Sequence, residues 1–135
     1  MQTVTLSGVV TPFTGHGRQL GYPTANLTTA TDLADGVYFG LADLAGFTDH
    51  PALIFIGVPT TLGDRQRRVE AYLLDIPDED YYGQTLSASL RHFHRANQTF
   101  ADVGELVEAM RADEATARAW FAKNRLAPAA NGEDT

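Results

Sequence analysis

The chain has 135 residues, of which 44% are hydrophobic, and a formal net charge of −7. This length and composition fit one domain with a real core. The acidic balance argues against a nucleic-acid partner, because such affinity depends on Lys and Arg neutralising backbone phosphates. It leaves room for a small phosphorylated ligand, which needs only a local pocket.

The chain contains no cysteine, which excludes disulfide scaffolds and Cys-ligated metals. Residues 1–5 lack the basic and apolar segments of a signal peptide. No apolar run approaches the roughly 18 residues of a membrane span. We therefore expect a cytoplasmic chain with no membrane partner.

Several short segments have the hydrophobic pattern of strands. Apolar residues alternate around Gly8, and later segments are enriched in β-branched and aromatic residues. The pattern predicts strands over 4–10, from 25 onward, and over 36–41, 52–56, 68–74 and 84–94, with a hairpin tip at 45–49. Short strands at this spacing favour a barrel or a sandwich over β-α-β units.

A glycine-rich stretch, Gly15-His16-Gly17-Arg18-Gln19-Leu20-Gly21-Tyr22-Pro23-Thr24-Ala25-Asn26, follows the first strand. Its glycines allow close backbone approach to a ligand, and successive N–H groups can bind an anion. Thr24 and Asn26 lie two apart on the next strand and point to one face. Their oxygens suit Mg²⁺, which often shares its ligands with substrate phosphates. An ordinary hairpin connection is the alternative.

Glu70 is the most informative acidic residue and a candidate catalytic base. It lies between Val69 and Ala71 in a strand-like segment, and a rigid element is where a catalytic base should be placed. A solvated acid on the outer face of the sheet is the alternative, and alternation alone does not decide between them.

The histidines do not predict a metal site. His92 and His94 are two apart on a predicted strand and would share a face, but no third ligand follows at a spacing typical of zinc.

The C-terminal part changes to a helical pattern. Asp102 and Glu105 form an acidic variant of the capping box, and the apolar residues of 103–110 fall on one helical face. Asp113 is placed to cap a second helical segment that carries Trp120. We expect one domain over 1–126 and a disordered tail over 127–135.

Four motifs, in order along the chain, resemble the bacterial and eukaryotic type of riboflavin kinase, a domain that in many bacteria forms part of a bifunctional FAD synthetase. The most specific is the stretch 15–26, with its Gly-x-Gly-Arg and Pro-Thr-Ala-Asn elements. The others are 36–38, then 69–75 with Glu70, and the pair Arg95 and Phe100. The resemblance extends from about residue 6 to residue 120.

The resemblance implies a mainly β fold: a six-stranded antiparallel Greek-key β-barrel with a C-terminal helical segment. It implies an enzyme that uses ATP and Mg²⁺ to phosphorylate riboflavin to FMN. Glu70 would be the general base, and Thr24 and Asn26 would contact the metal and the phosphates. The remaining site residues would be Gly15, Gly17, Arg18 and Gly21 for the nucleotide, and Arg95 and Phe100 for the flavin.

Three positions depart from the family pattern: Phe13 and Phe55 replace a glycine and an asparagine, and Asn97 replaces an acidic residue. These departures motivate the alternative of a non-catalytic flavin- or nucleotide-binding module on the same barrel. The adenylyl-transferring domain is absent from this sequence, so we expect no FAD synthesis by it. The oligomeric state is left open, and a monomer is compatible with the sequence.

Overall fold

The computed structural model describes residues 4–12, 21–22, 24–63 and 65–124, except for the side chain of Leu62. Within these residues six antiparallel strands close into a barrel and one long helix follows. The elements are β1 (Val4–Thr11), β2 (Ala25–Thr28), β3 (Gly36–Leu44), β4 (Phe47–Gly57), β5 (Arg68–Leu73), β6 (Thr85–Arg95) and α1 (Val103–Lys123). The expected barrel with a C-terminal helical segment is confirmed. The tail expected over 127–135 lies outside the described residues.

The strands follow the order β1-β2-β5-β4-β3-β6 around the barrel. β3, β4 and β5 are consecutive neighbours, and β6 returns to pair with β3. A fourth strand that returns beside the first of three is the Greek-key arrangement. Closure between β1 and β6 leaves no exposed sheet edge among these strands.

The barrel interior follows from alternation along the strands. In β5, Val69, Ala71 and Leu73 are buried while the residues between them are partly exposed. Leu86, Ala88 and Leu90 do the same in β6. Side chains of period two on one face of each strand therefore meet in a shared core. The two largest fully buried aliphatic residues of this core are Ile54 and Ile56.

The predicted hairpin tip at 45–49 was too wide. The turn itself is only Ala45 and Gly46, with φ values of 51° and 90°, and β4 already begins at Phe47. Two positive φ values are typical of the two-residue hairpin turn that matches strand twist. The sequence pattern did not predict the start of β4, because that part of the strand is largely polar. It is defined by ladder pairing with β3 rather than by apolar side chains.

The helix is continuous, so the prediction that Asp113 caps a second segment was wrong. Asp102 is the N-cap, and its Oδ1 accepts a hydrogen bond of 2.9 Å from the Glu105 backbone N–H. Glu105 in turn accepts from the backbone N–H of Ala101 at 3.1 Å. This reciprocal pattern satisfies N–H groups that have no partner within the helix.

α1 packs on the outside of the barrel through a second apolar cluster. Ala117 and Phe121 of the helix contact Phe39 and Leu41 of β3, together with Leu74. Trp120 adds a stacked contact with His92, their ring centroids 5.3 Å apart. Burial of this face holds the helix against β3 and β6. In the described part of the chain, α1 is too polar to be read as a membrane-crossing helix.

Candidate active site

Six residues from six strands lie side by side across the barrel wall, and we call them the site row. Each is directly opposed to the next in the strand registers. The site row consists of Thr11, Asn26, Glu70, Phe55, Val37 and Arg95. Their chain neighbours on β5 and β4 point into the core, so by alternation the site row faces outward.

All six members of the site row line one cavity of about 350 Å³. That size is typical of a small-molecule site. One wall is the face of α1 that carries Met110, Asp113 and Glu114, and another is formed by residues 58–61 and 97–100. The barrel thus brings distant motifs of the sequence to one concave surface.

Thr24 and Glu70 meet directly at the β2–β5 boundary. The Thr24 hydroxyl donates a hydrogen bond of 2.6 Å to Oε1 of Glu70. Glu70 is opposed to Asn26 on one side and Phe55 on the other, in the interior of the sheet. Ladder pairing on both sides holds the carboxylate in place, as expected for a preorganised group.

Asn26 carries an acceptor that is unpaired within the described part of the chain. Its Nδ2 donates to the Thr11 hydroxyl at 2.9 Å, which fixes the orientation of the amide. Its Oδ1 is buried and makes no hydrogen bond with any part of the chain that the structure describes. A buried oxygen without a partner is costly, and it lies on the strand next to the Thr24–Glu70 pair. Oxygen donors of this kind fit Mg²⁺.

Tyr22 is held against β5 by an aromatic contact. It is buried, and its ring meets the Tyr72 ring edge to face with centroids 5.3 Å apart. Burial raises the pKa of Tyr22, and the adjacent carboxylate of Glu114 raises it further. The preceding Gly21 has a φ of 90°, a conformation that favours glycine. The predicted site residues Gly15, Gly17 and Arg18, and the departure Phe13, lie outside the described residues.

Arg95 is held by the helix. Its Nε and Nη2 donate to the two carboxylate oxygens of Asp113 at 2.9 and 2.8 Å, and His94 Nε2 lies 3.0 Å from Asp113 Oδ1. The Asp113 side chain is only 8% exposed. Sequence reasoning missed Asp113 as the partner of Arg95, although an acid inside a helix next to apolar residues could have drawn attention to it.

Phe100 lies beneath Arg95 in the cavity wall. The Arg95 guanidinium carbon is 5.9 Å from the centre of the Phe100 ring, within the range of a cation–π contact. The Phe100 backbone N–H donates to the Thr61 hydroxyl at 2.9 Å. The two residues that the sequence paired are therefore in contact, and both line the cavity with Glu70.

Two departures from the family pattern also lie at the cavity. Phe55 is directly opposed to Glu70 and to Val37 in the site row, so it gives the middle of the row an apolar surface. Asn97 donates through Nδ2 to the Ile56 carbonyl at 2.9 Å. Both residues line the same cavity, and they distinguish its chemistry from the pattern expected of the family.

The histidine pair has a packing role. His94 stacks on Phe39 with ring centroids 4.7 Å apart, and His92 stacks on Trp120. Within the described residues no group of three or more His, Cys, Asp and Glu side chains is placed to hold a metal ion. A site built from Thr24 and Asn26 with substrate phosphates is of another kind, since its protein ligands would be a hydroxyl and an amide oxygen.

Comparison with known proteins gives a consistent result. The family model described as riboflavin kinase (Flavokinase) matches residues 1–121. The chain is 32% identical over 121 residues to the trifunctional protein RibF/MnmA of Mycoplasmoides gallisepticum, covering 87% of this chain and 18% of that protein. It is 26% identical over 111 residues to human riboflavin kinase, covering 78% of this chain and 72% of the human protein.

The fold has a close counterpart among solved structures. The crystal structure of riboflavin kinase from Trypanosoma brucei matches with a TM-score of 0.69 at 23% identity, covering 93% of this chain and 81% of that one. This chain thus spans 72% of human riboflavin kinase and 81% of the trypanosomal chain, but only 18% of the trifunctional protein. Because the family model covers nearly its whole length, the chain belongs to the riboflavin kinase family.

Proposed function

We propose that this chain transfers the γ-phosphate of ATP to the 5′-hydroxyl of riboflavin, giving FMN and ADP. The observation that carries the proposal is the 2.6 Å hydrogen bond between Thr24 and Glu70, next to the unsatisfied Oδ1 of Asn26. A carboxylate, a hydroxyl and an amide oxygen at one point of the cavity suit a reaction that needs a proton acceptor beside bound phosphates.

Glu70 is the general base in this proposal. The riboflavin 5′-oxygen bonds to the γ-phosphorus as the bond between that phosphorus and the ADP oxygen breaks, and the hydroxyl proton passes to the Glu70 carboxylate. Thr24 donates to Oε1 of Glu70, so it orients the carboxylate. A positioned base typically contributes about 10²–10⁴-fold to the rate.

The Thr24 hydroxyl and the Asn26 Oδ1 are the oxygens that would hold Mg²⁺. When bound, the ion neutralises phosphate charge in a transfer that depends mainly on alignment and electrostatics. The Thr11–Asn26 hydrogen bond keeps Oδ1 turned away from Thr11. Gly15, Gly17, Arg18 and Gly21 complete the nucleotide side, because glycine N–H groups and one arginine suit an anion.

The flavin side is assigned to Phe100 and Arg95. Phe100 offers an aromatic surface in the cavity wall on which a flat ring can pack. Arg95 is engaged by Asp113, so in this assignment it supports Phe100 from behind through the contact at 5.9 Å. Phe55 gives the floor between Phe100 and Glu70 an apolar character.

The proposal is tested by incubating the chain with riboflavin, Mg²⁺ and ATP and separating the flavins by chromatography. FMN is expected, and omission of Mg²⁺ is expected to abolish its formation. Other nucleoside triphosphates in parallel identify the donor. Absence of FMN with every donor would overturn the proposal.

The second candidate is a flavin- or nucleotide-binding module without turnover, favoured by the apolar Phe55 directly beside Glu70. It predicts that flavin fluorescence is quenched on binding while no FMN forms. Measuring quenching and product in the same samples separates the two functions.

A further inference from the structure

The Asn97 side chain is locked by its surroundings. Its Nδ2 donates to the Ile56 carbonyl at 2.9 Å. The opposite orientation of the amide would place two oxygens against each other, so the assignment of Oδ1 and Nδ2 is determined by this contact. The amide also packs against Gly57, where a Cβ atom would lie only 2.1 Å from Nδ2. Glycine at 57 is therefore a condition for this placement of Asn97.

The other end of the same amide is unsatisfied. Asn97 Oδ1 is buried and has no hydrogen-bond partner among the residues described. Leaving a buried acceptor unpaired is destabilising, and nearly all buried polar groups in native proteins are paired. An acceptor held in this state is suited to a donor that arrives with a ligand.

Hydrogen bonds connect the two segments that form the cavity wall around Asn97. The Thr60 and Thr99 hydroxyls are hydrogen-bonded at 2.6 Å, and the Thr61 hydroxyl accepts from the Phe100 backbone N–H. These contacts join the segment after β4 to the segment before α1. The threonine hydroxyls of this wall thus each take part in a hydrogen bond, whereas Asn97 Oδ1 takes part in none within the described residues.

Phe55 makes that acceptor more important. Phe55 directly precedes Ile56, whose carbonyl accepts the hydrogen bond from Asn97. Both Phe55 and Asn97 line the cavity. Because Phe55 is apolar, it offers no hydrogen-bonding side chain to a ligand donor that fails to reach Oδ1. A lost hydrogen bond is most costly in such surroundings.

We propose that Asn97 determines specificity for the flavin substrate by accepting, through Oδ1, a hydrogen bond from an N–H or O–H donor of that substrate. The inference rests on the proposed function. Riboflavin carries this chemistry in two places, the imide N–H of its ring and the hydroxyls of its ribityl chain. An amide oxygen accepts from either one, whereas it gives nothing to a methylated imide nitrogen or to a missing hydroxyl.

Binding measurements with three flavins test the proposal. Riboflavin, 3-methylriboflavin (no imide N–H) and lumiflavin (no ribityl hydroxyls) are titrated into the parent chain and Asn97→Ala, with Mg²⁺ and ADP present, and flavin fluorescence is followed. If the imide is the donor, the parent prefers riboflavin over 3-methylriboflavin by about tenfold, as one hydrogen bond predicts, and the variant loses this preference. If a hydroxyl is the donor, the variant loses the preference over lumiflavin instead.

Asn97→Asp is the second variant. It keeps an oxygen in the place of Oδ1 but loses the donor to Ile56, so it should be less stable and still retain the preference of the parent. If Asn97 had a structural role alone, both variants would weaken the binding of all three flavins by one common factor. Gln84→Ala, at an exposed position that does not line the cavity, is the matched control and should leave the preferences unchanged.

The inference is overturned if neither preference differs between the parent, Asn97→Ala and Asn97→Asp, because Oδ1 would then be satisfied by water. That result is separable from a failure of the proposed function. A parent that forms FMN while its preferences do not depend on residue 97 contradicts only the role of Asn97. A parent that binds flavin and forms no FMN contradicts the kinase assignment.

Discussion

At the scale of single residues, the site depends on side chains that the backbone holds before any ligand arrives. Glu70 is fixed by ladder pairing on both sides and by the Thr24 hydroxyl. Asn26 and Asn97 are each fixed through Nδ2, and each keeps a buried Oδ1 without a partner among the described residues. Under the proposed function, two amides oriented by the fold suit a site that receives two substrates.

Replacing Glu70 by Gln removes the proton acceptor and keeps the size of the side chain. We expect kcat for FMN formation to fall by about 10²–10⁴-fold, with a much smaller change in KM for either substrate. Steady-state kinetics with riboflavin and Mg²⁺-ATP measure both quantities.

Glu79→Gln provides the matched control, because Glu79 is an exposed acid that lines the same cavity. It should retain the parent kcat. If Glu70→Gln also retained the parent kcat, the role of Glu70 as base would have to be abandoned.

At the scale of elements, α1 is attached to the barrel by charge as well as by its apolar face. Asp113 engages Arg95 of β6, while Arg118 donates to both oxygens of Asp75 at 2.9 Å and to Glu114. These contacts position the helix over the cavity. They also join Arg95, which the proposed function places on the flavin side, to an element that lies outside the barrel.

Asp113→Asn should be clearly destabilising. It leaves Arg95, whose side chain is 24% exposed, without a charged partner in a largely desolvated place. A hydrogen bond to a charged group is worth about 1.5–3 kcal/mol, and we expect a loss of unfolding free energy in that range, measured by urea denaturation.

Glu108→Gln, at an exposed position of the same helix, serves as the reference and should change the urea midpoint little. An equally small change for Asp113→Asn would mean that the Arg95 contact does not hold the helix in place.

Asp75 makes the attachment of α1 dependent on pH. Its hydrogen bonds with Arg118 hold the pKa of Asp75 below its ordinary value. The folded chain therefore keeps this carboxylate charged at a pH where the unfolded chain binds a proton. The stabilising contribution is present above the ordinary Asp pKa, about 3.9, and is lost as the pH falls through the lower pKa of the folded state.

Asp75→Asn should accordingly cost less than about 1 kcal/mol at neutral pH, because both partners are exposed. The difference from the parent should shrink in acid and in high salt. Asn also tolerates the φ of 61° at this position. Asp32→Asn, at an exposed position, is the control, and urea denaturation at pH 7 and pH 3 measures both; a difference that did not depend on pH would contradict the pairing.

At the scale of the whole molecule, barrel closure depends on close approach between β3 and β6. A Cβ atom at Gly40 would lie 2.4 Å from the Ser89 carbonyl oxygen, at a point where the register between these strands shifts. A glycine there lets the two backbones come together. The same strands carry Val37 and Arg95 of the site row. The close approach at Gly40 therefore helps to set the strand register in which Val37 and Arg95 oppose each other.

Gly40→Ala should therefore destabilise the chain by about 1–3 kcal/mol, the usual range for overpacking. Thermal or urea denaturation measures the loss. Gly104→Ala is the control, because Gly104 lies in the first turn of α1, where the nearest atom to an added Cβ belongs to the Asp102 side chain. Alanine favours helix over glycine, whereas its Cβ would lie 3.2 Å from the capping Oδ1 of Asp102, so the control should change stability much less than Gly40→Ala. A loss at Gly104 as large as that at Gly40 would argue against the role of close approach.

Much of this architecture could be predicted from the sequence. The strands were predicted because alternation and apolar runs report directly on burial. Thr24 and Asn26 were marked by their spacing, and Glu70 by the resemblance to riboflavin kinase. The pairing of Arg95 with Asp113 could not be predicted, since it depends on how a helix lies against a closed barrel. The unsatisfied Oδ1 of Asn97 depends on which way one amide points, and no spacing encodes that.

The site row has a consequence for how such a domain can change. Its phosphate-side members stand on β1, β2 and β5, and its flavin-side members on β4, β3 and β6. Under the proposed assignment the two halves share one boundary, between Glu70 and Phe55. A substitution on the second half can therefore redirect which alcohol is phosphorylated while the machinery for the phosphoryl donor is inherited intact. Phe55 lies at that boundary, which makes it the first position to substitute if this barrel is to phosphorylate a different acceptor alcohol.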